Sequence, residues 1–210
     1  YTVTDACGNT ATLSRIVKVI GNEVTEDCLN IPQDLTFNYD GTSQEGNVTI
    51  TSAVGNDIGT PSIIGFYQGD EKVDPINVGE YTIKVHIPAG EKYEEKDLTL
   101  TKKLTITQRE ITITPEDITK IYKEQKQEPT NYQVTGTGLA QGETITAITL
   151  TTTATVTSDV GEYDITVESV TITDKDGNTT VYTQANKTNT TNYNVTFATG
   201  TYKIEAKSVQ

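Results

Sequence analysis

The sequence is poor in the residues from which most catalytic and metal sites are built. Its 210 residues contain no Trp, no Met, two Cys and one His. Zinc sites need several Cys or His residues close together, and none are grouped along this chain. A catalytic triad needs only one His, and the count of one permits it. The Gly-x-Ser-x-Gly motif of many hydrolases, however, is absent. We therefore expect no enzyme activity, no catalytic residues, no cofactor and no bound metal.

Basic residues are scarce as well. Lys and Arg number 16 against 29 Asp and Glu, which gives a formal net charge of −13. Binding to nucleic acid begins with a basic patch, and anionic membranes attract cationic segments. No apolar run is long enough to span a bilayer. We therefore expect no nucleic-acid partner and no direct membrane insertion.

Threonine is abundant, making up about a fifth of the chain. A β-branched residue with a hydroxyl group suits the exposed face of a sheet. The hydrophobic share is only 34%, but the apolar residues are regularly placed, which indicates a folded chain. Because the pattern alternates and lacks a helical period, we predict an all-β protein.

The clearest strand signal lies in residues 78–87. Apolar and polar side chains alternate there, in the order Tyr81, Thr82, Ile83, Lys84, Val85, His86 and Ile87. This period of two predicts one buried and one exposed face, with His86 on the exposed face. A Gly-x-Tyr phrase opens the strand and recurs twice, which indicates an internal repeat of a turn followed by a strand. The repeated residues are Gly79, Tyr81, Gly161, Tyr163, Gly200 and Tyr202.

Turn signals and strand-like segments divide the chain into three parts. Residues 1–30 comprise a hairpin (residues 1–20) and a polar, acidic connector, whereas residues 31–108 and 109–210 each hold several short strands. Strands at this spacing predict two β-sandwich domains. Two strands alone are marginal in water, so we expect the hairpin to be the remnant of an upstream domain or to pack on the next one. Because the chain starts at Tyr1 in mid-strand, we expect it to be a piece of a longer protein.

The strands can be placed from the same pattern. Those predicted in the first two parts are 1–4, 13–20, 35–39, 48–51, 63–67, 78–87 and 98–107. Those predicted in the third part are 111–113, 145–156, 161–167, 170–172, 179–182, 193–197 and 201–206. The threonine-rich segment 145–156 fits either one long strand or a pair. After Val167 the apolar positions shift by one to Val170, which predicts a bulge or tight turn at Glu168 and Ser169.

Two segments allow both a functional and a structural interpretation. Residues 174–178, with the sequence Asp-Lys-Asp-Gly-Asn, resemble the start of a calcium loop. The later ligands of such a loop are missing, which favours a hairpin turn. Lys102 lies in phase with the apolar residues of strand 98–107 and could form an intramolecular isopeptide bond. We favour a bulge, or a side chain that extends to the rim of the sheet.

Cys7 and Cys28 are the only cysteines. An even number of cysteines in an extracellular chain permits a disulfide bond between them. Cys7, however, lies in the turn of the first hairpin, and its natural partner could belong to a region upstream of this chain. Both a Cys7–Cys28 bridge and two unbridged thiols are therefore open alternatives.

Short turn-and-strand phrases carry a family resemblance. Residues 1–12 resemble the closing hairpin of immunoglobulin-like repeats in secreted bacterial surface proteins. Most of residues 35–207 resembles the mostly-β MBG repeats. The phrases that carry this resemblance are 39–42, 78–85, 92–93, 121–122, 128–129, 132–136 and 192–204. Such repeats occur in tandem in large cell-surface and adhesin-like bacterial proteins.

The resemblance implies elongated, tandem immunoglobulin-like β-sandwich domains on a bacterial cell surface, secreted or attached to the cell wall. It implies a non-catalytic structural or adhesive stalk module that spaces or presents binding domains. Its partners would be neighbouring repeats of the same chain and an unknown host or cell-surface protein or glycan, and we expect a monomer. The alternative is a carbohydrate- or protein-binding module that uses tyrosine-bearing sheet faces or loops. The lack of Trp gives a sugar platform little support.

The junction between the two predicted domains is short. Strand 104–107 is followed by strand 111–113 after Gln108, Arg109 and Glu110 alone. Flexible linkers are rich in Gly and Ser, and neither occurs here. We therefore predict a semi-rigid, acidic rod, although relative motion is otherwise the default between domains of one chain.

Overall fold

The computed structural model describes residues 2–12, 14, 23–186 and 191–208, and its regular secondary structure is β. Its strands are β1 (Thr2–Thr4), β2 (Thr10–Thr12), β3 (Leu29–Asn30), β4 (Thr36–Asn38), β5 (Thr51–Ser52), β6 (Ser62–Gln68), β7 (Glu71–Val73), β8 (Gly79–Ile87), β9 (Lys96–Thr107), β10 (Arg109–Pro115), β11 (Ile118–Ile121), β12 (Tyr132–Gly136), β13 (Thr144–Thr152), β14 (Gly161–Thr173), β15 (Thr179–Thr183), β16 (Tyr193–Phe197) and β17 (Gly200–Glu205). Short 3₁₀ turns lie at Glu26–Cys28, Glu45–Asn47 and Gly55–Asp57. Among the described residues, no helix has the length and apolar character needed to cross a membrane. The all-β prediction is confirmed.

The first hairpin is formed by β1 and β2, whose residues are all exposed. Thr2 pairs with Thr12, and Thr4 with Thr10, around the predicted turn at residues 5–9. The return strand is Thr10–Thr12, so the prediction that it begins at Leu13 is wrong. Leu13 and residues 15–20, where the rest of the predicted return strand falls, lie outside the described residues.

The second part contains a five-stranded sheet in the order β4-β9-β8-β6-β7. β4 is parallel to β9, and the other neighbours are antiparallel. β8 lies at the centre, and its alternating residues Tyr81, Ile83, Val85 and Ile87 are all buried, as predicted. The predicted strand 48–51 is wrong over most of its length, because only Thr51 and Ser52 pair, with β3. Val48 and Ile50 are buried from an irregular segment, which explains the misleading alternation.

The third part contains two sheets. One has the order β11-β17-β14-β13, with β15 also paired to β14, and the other has the order β12-β10-β16. The threonine-rich segment is a single strand, β13, that ends at Thr152. Thr149 pairs with Ser169 and Leu150 with Val167, so Glu168 is an extra residue in β14. The predicted bulge is therefore confirmed.

The two larger sheets repeat the same topology. In each, the first strand lies parallel to the last strand, which pairs antiparallel with the Gly-x-Tyr strand, giving β4-β9-β8-β6 and β11-β17-β14-β13. The registers also agree, because Gly79 pairs with Ile106 and Gly161 with Ile204. The repeat predicted from short phrases is thus a repeat of strand order and register.

The hydrophobic core crosses the junction. One cluster of buried residues extends from Val24 through Leu104 and Ile111 to Val195. A smaller cluster, formed by Ala154, Ile165, Tyr202 and Ile204, lies in the third part. Within the described residues, the strand pairings stay on either side of Gln108, whereas the larger cluster includes residues from both sides. The connector also contributes to this core, since Val24, Cys28 and Leu29 are buried in it.

Candidate functional site

The Gly-x-Tyr phrase forms the same corner in both parts. In the second part, the Tyr81 hydroxyl donates to the carbonyl of Asn77 at 2.5 Å. In the third part, the Tyr163 hydroxyl donates to the carbonyl of Asp159 at 3.0 Å. Each bond ties the start of a long strand to the loop that leads into it. A tyrosine that bonds back to the preceding backbone at a strand start resembles the tyrosine corner of immunoglobulin-like domains.

The third Gly-x-Tyr phrase has a different role. Tyr202 lies fully buried in the last strand, where its hydroxyl accepts the backbone N–H of Gln127 at 3.0 Å. A side chain at Gly200 would place its Cβ only 2.6 Å from the carbonyl oxygen of Pro115. This glycine therefore permits a close approach of two backbone segments.

At the junction of the second and third parts, two tyrosines share one carboxylate. Tyr39 follows β4, Tyr193 begins β16, and Glu143 precedes β13. The Tyr193 hydroxyl donates to Glu143 Oε2 at 2.6 Å, and the Tyr39 hydroxyl donates to Glu143 Oε1. The two rings meet edge to face with their centroids 5.7 Å apart. Because both tyrosines are at most 3% exposed, these hydrogen bonds are sheltered from water.

The same cluster is closely packed on either side. The Tyr193 hydroxyl accepts the backbone N–H of Ala140 at 2.7 Å, and its ring meets that of Tyr182 edge to face at 6.3 Å. Gly41, in the second part, adopts φ +80°, and a Cβ there would lie 3.3 Å from the Ala140 Cβ. The turn after Tyr39 therefore fits against the loop that holds Ala140 and Glu143, with little space for a side chain at Gly41.

A second set of hydrogen bonds crosses the junction through Asn192. Its side-chain oxygen accepts the backbone N–H of Val78 at 3.0 Å, and its side-chain nitrogen donates to Asn77 Oδ1 at 2.9 Å. A further hydrogen bond across the junction comes from Arg109, whose guanidinium donates to the carbonyl of Tyr39 at 3.2 Å. The loop before the corner tyrosine of the second part is thus bound by the third part.

A small cavity of about 30 Å³ borders this cluster, with Tyr39, Glu143 and Asp174 in its wall. That volume suits a water molecule, whereas ligand pockets have volumes of several hundred Å³. The arrangement can hold two parts of the chain together, and it offers no space for a substrate-sized molecule.

Burial raises the pKa of Tyr39 and of Tyr193 well above the ordinary value, and the adjacent Glu143 carboxylate raises both further. An unfolded chain releases the proton of each tyrosine near pH 10, whereas the folded chain retains it. The raised folded-state pKa values therefore have no effect on stability below about pH 10, and the free energy of unfolding falls as the pH rises above it.

We expect this alkaline loss of stability to be shallower in the double variant Tyr39→Phe/Tyr193→Phe. Urea unfolding at a series of pH values from 7 to 11.5, followed by circular dichroism, would compare the two proteins. The chain with Tyr67→Phe is the control, because Tyr67 is half-buried in β6 outside this cluster. Equal slopes for the wild type and the double variant above about pH 10 would contradict the assignment.

The turn at residues 174–178 uses its own carboxylate. Asp174 Oδ1 accepts the backbone N–H groups of Asp176 and Asn178 at 2.9 and 2.8 Å. Its Oδ2 accepts a hydrogen bond from the Asn178 side-chain amide at 2.9 Å. This bond has the largest effect in lowering the pKa of Asp174, and the backbone hydrogen bonds lower it further. Gly177 has φ +86°, and the turn beginning at Asp5 repeats the same contacts. The hairpin interpretation is confirmed, and the described residues contain no group of three potential metal ligands.

The remaining candidates lie apart from the junction. His86 is on the exposed face of β8, as predicted, with Nδ1 2.7 Å from Asp97 Oδ1. Cys7 is exposed and Cys28 is buried, and both are free thiols in this structure. The Cys7–Cys28 bridge and the pair of unbridged thiols both stay open as predictions.

Lys102 lies in a bulge of β9. Thr82 pairs with Lys103, and Lys84 pairs with Thr99, so β9 has three residues opposite the single residue Ile83. The Lys102 ammonium donates to the backbone carbonyl of Gln33. The predicted bulge is confirmed, and this contact favours a hydrogen-bonded lysine over a cross-linked one.

The sequence pattern placed Arg109 at the junction but did not reveal Glu143 or Asn192 as junction residues. Glu143 and Asn192 lie outside strands, where no alternation marks them. The one available signal was Arg109 itself, a residue of the short segment that joins the two parts. Charged and amide side chains are common in such a polar chain, so their roles depend on which loops the fold brings together.

Comparison with known families identifies part of the chain. Residues 111–178 match the family model of the MBG domain, YGX type. This region begins in β10, includes Glu143 and the corner tyrosine Tyr163, and ends in the turn after β14. No protein with a curated description matches the chain. The resemblance to MBG repeats is thus confirmed for residues 111–178, which include the phrases 121–122, 128–129 and 132–136.

Proposed function

We propose that this chain is a non-catalytic structural or adhesive stalk module of a bacterial surface protein, secreted or attached to the cell wall. Its task is to space or present binding domains. The MBG domain at residues 111–178 supports this proposal, because it suggests a repeat module of a surface protein. The neighbouring repeats and a host or cell-surface protein or glycan are the proposed partners.

The observation that carries the proposal is the Tyr39–Glu143–Tyr193 cluster at the junction. A spacer keeps its ends apart only if its junctions resist bending. Here Gln108 is the sole residue between β9 and β10, and hydrogen bonds from Tyr39 to Glu143 and from Asn192 to Asn77 join the two sides. An edge-to-face contact of two buried rings adds to them. Such a junction limits the swing of one part against the other.

The proposal extends to the fold of the two larger parts of the chain. We propose that residues 31–108 and 109–210 are tandem immunoglobulin-like β-sandwich domains and that the first of them is also of the MBG type. The equal strand order of the two large sheets supports this, as do the equal corners at Tyr81 and Tyr163. The exposed hairpin β1–β2 fits the remnant of an upstream repeat.

A test of this function measures shape and stiffness together. Small-angle scattering of the chain is expected to show an elongated particle with a narrow size distribution. The variant Gly41→Leu should broaden that distribution, because its side chain would meet Ala140 across the junction. Gly69→Leu is the matched control, since Gly69 also has a positive φ (+61°) but has open space around it.

Two outcomes would overturn the proposal. A compact particle, with the two parts side by side around a shared cleft, would favour a binding module instead. Equal distributions for Gly41→Leu and Gly69→Leu would show that the junction does not set the stiffness.

A further inference from the structure

We propose that the loop end of the third part, around Tyr122 and Val160, is a docking face for a further unit with the fold of residues 109–205. This inference rests on the proposed stalk function and names the partner that binds at the third-part end of the stalk. It is drawn from the equivalence of the two large sheets, which identifies the residues that correspond to the occupied junction.

The correspondence follows from backbone pairing. Val78 precedes Gly79, which pairs with Ile106, and Val160 precedes Gly161, which pairs with Ile204. Val160 therefore corresponds to Val78.

The tyrosines correspond in the same way. The backbone N–H of Tyr39 donates to the carbonyl of Thr107 at 2.9 Å, one residue after Ile106. The backbone N–H of Tyr122 donates to the carbonyl of Glu205 at 2.8 Å, one residue after Ile204. Tyr122 is therefore the counterpart of Tyr39.

The two faces differ in exposure. In the second part, Tyr39 is 3% exposed and Val78 is half-buried beneath the third part. Their counterparts are more exposed, since Val160 is 53% exposed and Tyr122 is half-buried where Tyr39 is fully buried. A cavity of about 380 Å³ lies beside Val160, and residues 203–206 of the last strand and its end form its other wall. The concave surface at Val160 is therefore uncovered here, whereas the equivalent surface at Val78 is covered by the third part.

The chemistry of the junction is retained on this face. At the occupied junction the Tyr39 hydroxyl donates to Glu143, and Tyr122 has an equivalent hydroxyl. The backbone N–H of Val78 donates to the Asn192 side chain, and Val160 has an equivalent N–H. The Asn77 side-chain oxygen accepts from Asn192, and its counterpart Asp159 also has a side-chain acceptor oxygen. A partner unit that presents a carboxylate and a carboxamide in the positions of Glu143 and Asn192 would therefore find the same set of donors and acceptors.

The face departs from the junction at one position. Ala206 stands where the second part has Gln108, whose side-chain amide donates to the carbonyl of Thr191 at 2.8 Å. That hydrogen bond has no equivalent in a unit docked here. We therefore expect the docked unit to be held by the tyrosine, the valine backbone and the acidic side chain.

The test uses the full chain extended after Ala206 by a second copy of residues 109–208. Val160→Cys is introduced into the first copy in a Cys7→Ser background, and the rate of its reaction with a maleimide is measured in the extended and unextended chains. The extended chain is expected to react several-fold more slowly, because docking would reduce the exposure of position 160 from that of Val160 to that of its half-buried counterpart Val78. Val181→Cys in the first copy, on exposed β15, is the control and should react equally in both.

A second variant removes only the docking contacts. Glu143→Ala and Asn192→Ala, made in the appended copy alone, should restore the fast reaction of the Val160→Cys thiol while circular dichroism shows the appended copy still folded. Equal rates in the extended and unextended chains would overturn the docking face. Scattering of the unextended chain tests the stalk proposal separately, so the two failures are distinguishable.

Discussion

Replacement of Tyr193 by alanine is expected to lower the free energy of unfolding by about 3–5 kcal/mol. The side chain is 1% exposed, and its ring packs edge to face against both Tyr39 and Tyr182. Alanine would leave a cavity in place of the ring. It would also remove the hydroxyl that bonds Glu143 and the Ala140 N–H, leaving buried groups unsatisfied. Urea unfolding followed by far-ultraviolet circular dichroism measures the loss.

Two further variants separate the causes. Tyr193→Phe keeps the ring and removes the hydroxyl, so it should cost about 1–3 kcal/mol. Tyr67→Ala is the control outside the junction; its ring lies 4.1 Å from the Lys84 ammonium, a contact worth about 0.5–1 kcal/mol. A loss for Tyr193→Ala no larger than that of Tyr67→Ala would contradict the structural role of the cluster.

Alternation predicted the strands that lie between a buried and an exposed layer. In β8 every second side chain is buried, so the period of two is strict. The shift of phase after Val167 was equally informative, because one extra residue moves all following side chains to the other face. Such signals are local, and a single sequence is enough to detect them.

The same rule failed where burial occurs without strand pairing. Val48 and Ile50 alternate with polar residues, yet they lie in an irregular segment after a 3₁₀ turn. Burial alone fixes the spacing of apolar side chains, whereas a strand also needs a neighbouring backbone to bond with. The pattern cannot distinguish the two cases, because the neighbour is supplied by a distant segment of the chain.

The junction was predictable in part. The closeness of strands 104–107 and 111–113 predicted a short connection of three residues, and the structure has a single residue between the two strands. The identity of the bonded side chains was not predictable, since Tyr39 and Glu143 are 104 residues apart in the chain. Their contact depends on the packing of two loops that the sequence marks only as polar turns.

The two corner strands offer a comparison of equivalent core positions. Ile83 and Ile165 each lie two residues after a corner tyrosine, and both are fully buried. Alanine at either position removes the branched end of the side chain and leaves a cavity. We expect each variant to lose about 2–5 kcal/mol in the part of the structure that contains it.

The way in which the two variants unfold should differ, because the residues belong to different clusters. Ile83 lies in the cluster that crosses Gln108, whereas Ile165 packs with Tyr202 and Ile204 in the smaller one. Ile83→Ala should shift the main unfolding transition, and Ile165→Ala should release the smaller cluster first, in an earlier transition. Hydrogen exchange read by mass spectrometry along β8 and β14 during urea unfolding would separate the two. If both variants instead shift one common transition equally, the small cluster unfolds together with the rest, and the junction stabilises the whole of the third part.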